Sequence, residues 1–198
     1  MASQIPLVLV HGLWDTPRIF HRLQQKLGDR RAPLLIPHLP HGLGYTSINE
    51  LAQELGQLIE TTFGPNTPID LLGFSMGGLV GRTWIQLQGG HGRTRRFLSV
   101  GSPQQGTLTA QPWPRWPLAS IADMKLGSPL LQRLNRNVDG LRAVECRSYY
   151  CNADLMVWPG WRAVLPVGSR QSLPVLTHKQ LISHPAALDP LVAELLRP

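Results

Sequence analysis

The stretch 69–79 sets the strongest constraint on how this chain can fold. It joins a short apolar run, 69–72, to the sequence Gly73-Phe-Ser-Met-Gly77 and then to a helix-like run that begins at Leu79. Glycine two residues before and two residues after Ser75 permits a turn so tight that a side chain would meet other backbone. A serine on such a turn, between a buried strand and a helix, holds its hydroxyl clear of the sheet, and this is the pattern of a nucleophile elbow. An ordinary strand–helix turn is the alternative, since glycine and serine are common in turns.

Strand-like and helix-like segments alternate along the rest of the chain. The strand-like runs are 5–10, 32–36, 69–72, 96–100, 140–150 and 172–176. Ser47–Glu50 resembles a capping box at the start of one helix, and Asp189 is expected to cap the last helix. This alternation predicts an α/β fold with a mostly parallel central sheet and helices on both faces. We expect one domain over residues 1–198.

Composition narrows the class of protein. The chain has 198 residues, of which 42% are hydrophobic, and this suits one globular domain with a sizeable core. It contains no apolar run of the ~18 residues that a membrane-spanning helix needs. The N-terminus lacks a basic segment followed by an apolar run, so we expect no secretory signal and a cytoplasmic location.

The net charge of +7 has two interpretations. It favours attraction to anionic lipid or nucleic acid, or it is a solvated surface. Apart from a short cluster at Arg93–Arg96 the basic residues are scattered, which favours the solvated surface. No nucleic-acid motif accompanies them, so we expect no nucleic-acid partner. Peripheral contact with an anionic membrane remains a hypothesis.

Cysteine and histidine spacing indicates neither a disulfide nor a metal site. Cys146 and Cys151 are five residues apart in a probable strand, so their side chains should point to opposite faces, beyond bridging distance. We expect two free thiols. No cluster has the spacing of zinc ligands, and we expect no metal and no cofactor.

The segment 108–137 interrupts the alternation of strands and helices. Its first part is rich in proline and tryptophan, including Trp113 and Trp116. The segment is either a mobile flap that presents apolar side chains to lipid or a fixed cap packed on the core. Because Trp–Pro clusters are more often packed than mobile, we favour the fixed cap. Trp14, Trp113 and Trp116 are the candidate substrate-binding residues.

A serine hydroxyl is a weak nucleophile unless a base accepts its proton, and that base is usually a histidine oriented by a carboxylate. In folds with such an elbow, the acid and then the histidine follow the serine along the chain. The acidic residues after Ser75 are Asp123, Asp139, Glu145, Asp154, Asp189 and Glu194. The histidines after it are His91, His178 and His184.

Position along the chain favours Asp154 and His178 among these candidates. Asp154 lies just past a strand-like run, where the orienting acid belongs, whereas Asp123 falls inside the segment 108–137. His178 follows the last strand-like run directly. His184 precedes a proline and is better placed in a helix start, but it stays open as the alternative base.

Several motifs occur in the order and spacing of small bacterial lipases. They are His11-Gly-Leu13, Gly73-Phe-Ser-Met-Gly-Gly78, Gly101-Ser-Pro-Gln-Gln-Gly-Thr107, Ala153-Asp-Leu-Met-Val157 and Thr177-His178. The chain thus resembles the lipase and esterase branch of the α/β-hydrolases over nearly its whole length. The resemblance implies a minimal α/β-hydrolase fold with a small cap. It also implies Ser75 as nucleophile, Asp154 as acid and His178 as base, with the backbone N–H groups of Leu13 and Met76 as oxyanion donors.

Two departures from the family pattern stand out. Many lipases have a histidine where this chain has Gln104 or Gln105, which leaves catalysis untouched. The Pro/Trp-rich cap is not shared by the most compact members, which puts substrate preference in doubt.

The expected function is therefore hydrolysis of carboxylic esters, most simply lipid-like ones, through an acyl-enzyme. An acyltransferase or a thioesterase would use the same three residues, because pocket shape and dryness select the acceptor. A non-catalytic binding protein on this fold is the third possibility, and the filled triad positions argue against it.

Overall fold

The computed structural model describes residues 5–198, and its centre is a six-stranded sheet with all neighbouring strands parallel. The strands are β1 (Leu7–Val10), β2 (Leu34–Leu35), β3 (Ile69–Phe74), β4 (Thr94–Val100), β5 (Glu145–Tyr150) and β6 (Ser169–Ser172). Their order across the sheet is β2-β1-β3-β4-β5-β6. The predicted α/β class is confirmed. Residues 1–4 of the predicted domain, where a signal segment was judged absent, lie outside the described range.

Helices cover both faces of this sheet. The α-helices are α1 (His21–Leu27), α2 (Ile48–Phe63), α3 (Met76–Leu87), α4 (Ala119–Asp123), α5 (Pro129–Arg136), α6 (Asp139–Arg142) and α7 (Pro185–Leu195). The predicted capping box at Ser47–Glu50 begins α2: the Ser47 hydroxyl accepts from the Glu50 N–H while the Glu50 carboxylate accepts from the Ser47 N–H.

Side-chain alternation along the strands divides the core in two. On one face, Val8 and Val10 of β1 pack with apolar residues of α2, α3 and the segment 108–137. On the other face, Leu7 and Leu9 pack with apolar residues of α1 and α7. The strands are therefore buried on both sides, as a doubly covered parallel sheet requires.

The same alternation separates the two cysteines. Cys146 lies in one core and Cys151 in the other, and both are free and buried. The prediction of two free thiols on opposite faces is confirmed. Burial raises the pKa of Cys146 to about 12 and that of Cys151 to about 11, so both are protonated at neutral pH.

The bounds of β1, β3 and β4 differ from the predicted ones by two residues, and those of the other three strands differ by more. β2 covers only Leu34–Leu35 of the expected 32–36, because Pro33 has no N–H to contribute to the sheet. Residues 139–142 form α6, so β5 begins at Glu145 rather than at 140. The last strand is Ser169–Ser172 rather than 172–176. Its four side chains are all exposed, and Pro174 prevents the ladder from continuing.

The prediction that Asp189 caps the last helix is wrong. α7 begins at Pro185, and its N-cap is His184, whose Nδ1 accepts from the Ala186 N–H at 3.2 Å. Asp189 lies inside this helix and forms an ion pair with Lys26. The placement of His184 at a helix start is confirmed.

Candidate functional site

Ser75 lies on the sharp turn between β3 and α3. Its backbone has a φ of 55° and a ψ of −130°, a conformation that a residue with a side chain rarely adopts. A Cβ at Gly73 would lie 2.4 Å from the Gly78 Cα, and one at Gly77 would lie 2.2 Å from the Val10 carbonyl oxygen. Neither position can hold a side chain. The glycine spacing is therefore what allows Ser75 to occupy this turn.

Asp154 and His178 meet at the same edge of the sheet. Asp154 Oδ2 lies 2.7 Å from His178 Nδ1. The other carboxylate oxygen, Oδ1, accepts from the N–H groups of Met156 at 2.8 Å and Val157 at 3.0 Å. Asp154 is buried, with 1% of its side chain exposed, so these bonds fix its orientation. The carboxylate in turn fixes the imidazole, with Nδ1 as the donor.

The other ring nitrogen of His178 is available for proton transfer. His178 Nε2 is buried and has no hydrogen-bond partner among residues 5–198. The ring packs against Phe74, the residue before the elbow serine, with a centroid distance of 4.8 Å. Ser75 and His178 line one cavity of about 480 Å³. The structure therefore brings together all three residues predicted as the triad.

The predicted oxyanion donors, Leu13 and Met76, follow the ends of β1 and β3. Leu13 follows β1 and lines the cavity, and Met76 is the first residue of α3. Within the described chain, neither backbone N–H donates a hydrogen bond to another protein group. The Met76 N–H is one of those that a helix start leaves unpaired. Two unpaired amides beside Ser75 are suited to a developing negative charge.

His11 holds the loop that carries Leu13. Its Nδ1 lies 2.9 Å from the Gly12 carbonyl oxygen, and its Nε2 accepts from the Leu39 N–H at 3.2 Å. This pairing requires a neutral ring with its proton on Nδ1. Burial lowers the pKa of His11 and so favours that neutral form. The role of this side chain is structural.

The cavity walls are mainly apolar. Trp14 and Trp113, two of the predicted substrate-binding residues, line it and contact each other edge-on with a centroid distance of 6.1 Å. Trp116, the third, is 85% exposed and lies outside the residues that line the cavity. The remaining apolar lining comes from Ile19, Phe74, Ala110, Ile121, Met124, Leu155, Met156 and Val157.

The segment 108–137 is packed on the core. Ile121, Met124 and the apolar face of α5 are buried in the same core as α2 and α3. Lys125 is also buried, and its ammonium donates to the carbonyl oxygens of Gln111, at 2.8 Å, and of Trp113. These bonds hold the loop that presents Trp113 to the cavity. The contacts agree with the fixed cap rather than the mobile flap.

A buried arginine connects α3 to the loop after β4 and to the cap. Arg82 is fully buried, and its guanidinium donates to Gln86 Oε1 at 2.6 Å, the Gln104 carbonyl at 2.9 Å and Asn135 Oδ1 at 2.8 Å. Burial without a carboxylate partner lowers its pKa to about 10. Gln104 itself is buried and donates to Ser99 Oγ. Gln104 thus has a structural role.

Two charged residues of the cavity wall were missed by the sequence. Asp15 comes just before the first helical turn, which begins at Pro17, and it lines the same cavity as Ser75. A Cβ at Gly12 would lie 3.0 Å from Asp15 Oδ2 and 3.2 Å from Ser75 Oγ. Lys179, directly after His178, lines the same cavity. In the sequence, the only indication of their role is that Asp15 and Lys179 directly follow segments expected to contribute to the site.

The described residues form neither a metal-binding cluster nor a membrane-spanning helix. Among residues 5–198 no group of three or more His, Cys, Asp or Glu side chains is arranged to hold a metal ion. None of the helices in that range is long and apolar enough to cross a membrane.

Comparisons with known proteins identify the family and the fold. A sequence model of the α/β hydrolase family matches residues 7–197. The search of curated proteins finds no match. Bacillus licheniformis lipase BlEst2 in its mature form superposes with a TM-score of 0.78 at 14% identity, covering 100% of this chain and 94% of that one.

Two further solved structures share the fold. Aspergillus fumigatus lipase B has a TM-score of 0.77 at 19% identity over 98% of this chain and 53% of its own. The thioesterase RedJ of Streptomyces coelicolor has a TM-score of 0.64 at 22% identity over 98% and 86%. The family model spans nearly the whole chain and these structures share its fold, so this protein belongs to the α/β-hydrolase family.

Proposed function

We propose that this protein is a serine hydrolase that cleaves carboxylic esters. The observation that carries the proposal is the arrangement of His178, with Nδ1 bonded to buried Asp154 and Nε2 unpaired beside the cavity that Ser75 also lines. An imidazole held in this way is prepared to accept the serine proton.

The chemistry follows from these positions. Ser75 Oγ attacks the ester carbonyl carbon while His178 Nε2 takes the hydroxyl proton. The carbonyl oxygen becomes negative and accepts hydrogen bonds from the Leu13 and Met76 N–H groups. The carbon–oxygen bond to the alcohol then breaks, and His178 returns its proton to the leaving alkoxide. Water, deprotonated by the same ring, releases the acid from Ser75.

The cavity favours an ester with an apolar acyl group. The wall on the cap side is formed by apolar residues such as Ala110, Ile121 and Met124. Each buried methylene of an acyl chain contributes about 0.8 kcal/mol when it leaves water. A lipid-like ester therefore gains more from this cavity than a short one does.

The surface around the cavity supports the same choice. All eleven large apolar side chains that are exposed in residues 5–198 lie on loops that follow the strands. They are Trp14, Leu43, Tyr45, Leu108, Trp113, Trp116, Leu155, Met156, Trp158, Trp161 and Leu176. The carboxyl ends of parallel strands share one edge of the sheet, so these residues lie on the same side of the molecule as the cavity, and four of them, Trp14, Trp113, Leu155 and Met156, line it. We call the whole set the apolar rim.

We infer that the apolar rim meets an anionic lipid surface. Tryptophan is enriched where proteins contact the membrane interface, and five of the six tryptophans of the chain are in the rim. Arg115, Arg162 and Lys179 are interspersed with it, while loops 101–118, 151–168 and 173–177 have no exposed acidic residue. Positive charge among aromatic side chains complements anionic headgroups.

The proposal is tested by hydrolysis of p-nitrophenyl acetate, octanoate and palmitate. Wild-type protein should hydrolyse all three, with kcat/KM rising toward the longer chains, and Ser75→Ala should lose at least ~10³-fold in kcat. Ser169→Ala, a matched change on the exposed edge strand, should keep wild-type activity.

Other outcomes would reassign the protein. Near wild-type activity in Ser75→Ala would overturn the nucleophile assignment. Turnover of acyl thioesters alone, or transfer to an added alcohol in preference to water, would make the protein a thioesterase or an acyltransferase. Absence of turnover on every ester and thioester would leave a binding protein on this fold.

A further inference from the structure

A second groove adjoins the catalytic cavity on the side away from the cap. It has a volume of about 490 Å³ and shares Trp14, Asp15, Ile19 and Lys179 with the cavity. Its remaining lining is Thr16, Arg18, His21, Arg22 and Ser183. We call it the basic groove. A molecule bound at Ser75 can extend into it past Asp15 and Lys179, because these residues belong to both walls.

The cations of the basic groove are not neutralised by the protein. Arg18, Arg22 and Lys179 are exposed, and within residues 5–198 none of them forms an ion pair. Arg22 donates one hydrogen bond, to the Ser183 carbonyl at 3.1 Å. Lys26, on the same helix as Arg22, is instead paired with Asp189. Three unpaired cations beside one cavity mouth create a positive field that is suited to an anion.

Asp15 is the one opposing charge in the groove. It is half-buried at the wall shared with the cavity, and burial raises the pKa of its carboxyl above the ordinary value. No hydrogen bond or ion pair within the described chain reaches this carboxylate. A hydrogen-bond acceptor in that place is suited to a hydroxyl or another polar group on the alcohol that follows the ester oxygen. Lys179 lines the cavity as well as the groove, whereas Arg18 and Arg22 line the groove alone.

We propose that the basic groove binds an anionic phosphate or sulfate group on the alcohol side of the ester substrate. The assignment rests on the proposed function, because it places the acyl chain in the apolar cavity and the alcohol past Asp15. Arginine and lysine are the side chains that bind phosphate and sulfate oxygens through charge-assisted hydrogen bonds. The substrate class is then a polar lipid with an anionic headgroup rather than a neutral ester.

Measuring lipid binding to a variant that cannot hydrolyse the ester tests this inference independently of catalysis. In a Ser75→Ala background, we would measure Kd by calorimetry for dihexanoyl phosphatidylglycerol and for dihexanoylglycerol, which has the same acyl chains but no phosphate, both below the concentration at which they aggregate. The anionic lipid should bind about tenfold more tightly, the combined effect of a few exposed charge pairs. This preference should shrink with added salt, because exposed charges are screened.

Substitutions test whether the preference for the anionic lipid depends on the cations of the basic groove. Arg18→Gln combined with Arg22→Gln should reduce the preference to about twofold or less, as expected when two of three exposed pairs are removed. Arg22 has a structural bond, so Arg18→Gln alone provides a second variant. Arg136→Gln removes one positive charge from α5, outside the groove, and should keep the tenfold preference. Thermal unfolding of each variant checks that it is folded.

Equal affinity for the two lipids, or a preference unchanged in the double variant, would overturn the groove assignment. Inorganic phosphate alone should bind more weakly than the anionic lipid. Phosphate binding that equals the lipid's and depends on Arg18 would make this a site for free anions and overturn the headgroup assignment. Failure of the proposed function would be recognised separately, by wild-type protein that hydrolyses no p-nitrophenyl ester.

Discussion

The two edges of the parallel sheet use charge in opposite ways. At the edge where the strands begin, several charged side chains are paired with one another. At the edge where the strands end, buried Asp154 is bonded to a histidine, and the exposed cations of the basic groove form no ion pair within residues 5–198. Pairing therefore separates charged residues that stabilise the fold from charged residues available to a ligand.

The edge where the strands begin is a network of ion pairs. Asp70, near the start of β3, is buried and accepts from Arg31 and from Arg95, whose Nη2 lies 2.7 Å from Oδ2. Arg96 pairs with Glu145 at the start of β5. Arg147 pairs with Glu194 near the end of α7 at 2.7 Å. These charged side chains are paired with one another, so they are not available to a ligand.

The largest effect should come from the edge where the strands end. Asp154→Asn keeps the size of the side chain but removes the charge that holds the His178 tautomer. We expect kcat for p-nitrophenyl octanoate to fall by about 10³–10⁴-fold, as for the equivalent change in other triads. Steady-state kinetics measures this loss, and calorimetry should show a smaller fall in Tm than the Asp70 variant below. Activity within tenfold of wild type would exclude Asp154 as the orienting acid.

At the edge where the strands begin, a substitution should lower stability and leave kcat nearly unchanged. Asp70→Asn leaves Arg31 buried without its carboxylate, which should cost about 3 kcal/mol of unfolding free energy. This corresponds to a fall in Tm of ~6–12 °C for a chain of this size. At a temperature where the variant is folded, kcat should stay near the wild-type value.

A matched substitution at an exposed ion pair provides a control for the change in Tm of Asp70→Asn. Asp189→Asn breaks the ion pair with Lys26, in which the Asp189 side chain is 67% exposed. An exposed pair contributes less than about 1 kcal/mol, so the Tm should change little. If Asp70→Asn lost activity without losing stability, the division between the two edges would be wrong.

A smaller effect is expected from the lysine that holds the cap loop. Lys125→Met keeps the apolar stem but removes the donor to the carbonyl oxygens of Gln111 and Trp113. Two acceptors would be left unpaired, which should cost about 1–3 kcal/mol. A displaced Trp113 should raise KM for the octanoate ester by up to about tenfold and leave the acetate ester nearly unchanged. Lys125→Arg retains a donor and should recover part of the loss; a KM unaffected by Lys125→Met would show that the loop is held by other contacts.

The sequence predicted the features that local rules determine. Ser75 could be placed on a turn because Gly73 and Gly77 occur at the spacing that the turn requires. The strand β1 was recognisable because a strand buried on both faces is a continuous apolar run, and β3 and β4 contain shorter apolar runs. Chain order then reduced many acids and histidines to Asp154 and His178.

What the sequence did not predict depends on tertiary contacts. β6 has only exposed side chains, so it shows no hydrophobic pattern and is defined by its pairing with β5. The basic groove combines the segment around Arg18 with Lys179, which are brought together only by folding. Asp189 precedes a proline and matches a helix start as well as His184 does, and only packing distinguishes them.

The smallest effect concerns the apolar rim itself. Trp116 is 85% exposed and contributes to no core, so Trp116→Ala should leave Tm and the hydrolysis of soluble esters unchanged. Transfer of the Trp116 side chain from water to a lipid interface should contribute about 1 kcal/mol of binding free energy, which corresponds to about fivefold in vesicle affinity. Co-sedimentation with vesicles of phosphatidylglycerol and of phosphatidylcholine measures this affinity.

Comparison with Arg115→Gln separates the apolar from the electrostatic contribution. Trp116→Ala should weaken binding to both kinds of vesicle, because the indole recognises the interface and not its charge. Arg115→Gln should weaken binding only to the anionic vesicles, by about fivefold at low salt and less at high salt. If neither variant changed vesicle binding, the rim would serve only as the mouth of the cavity. The unpaired charges of this edge would then act on single substrate molecules rather than on a lipid surface.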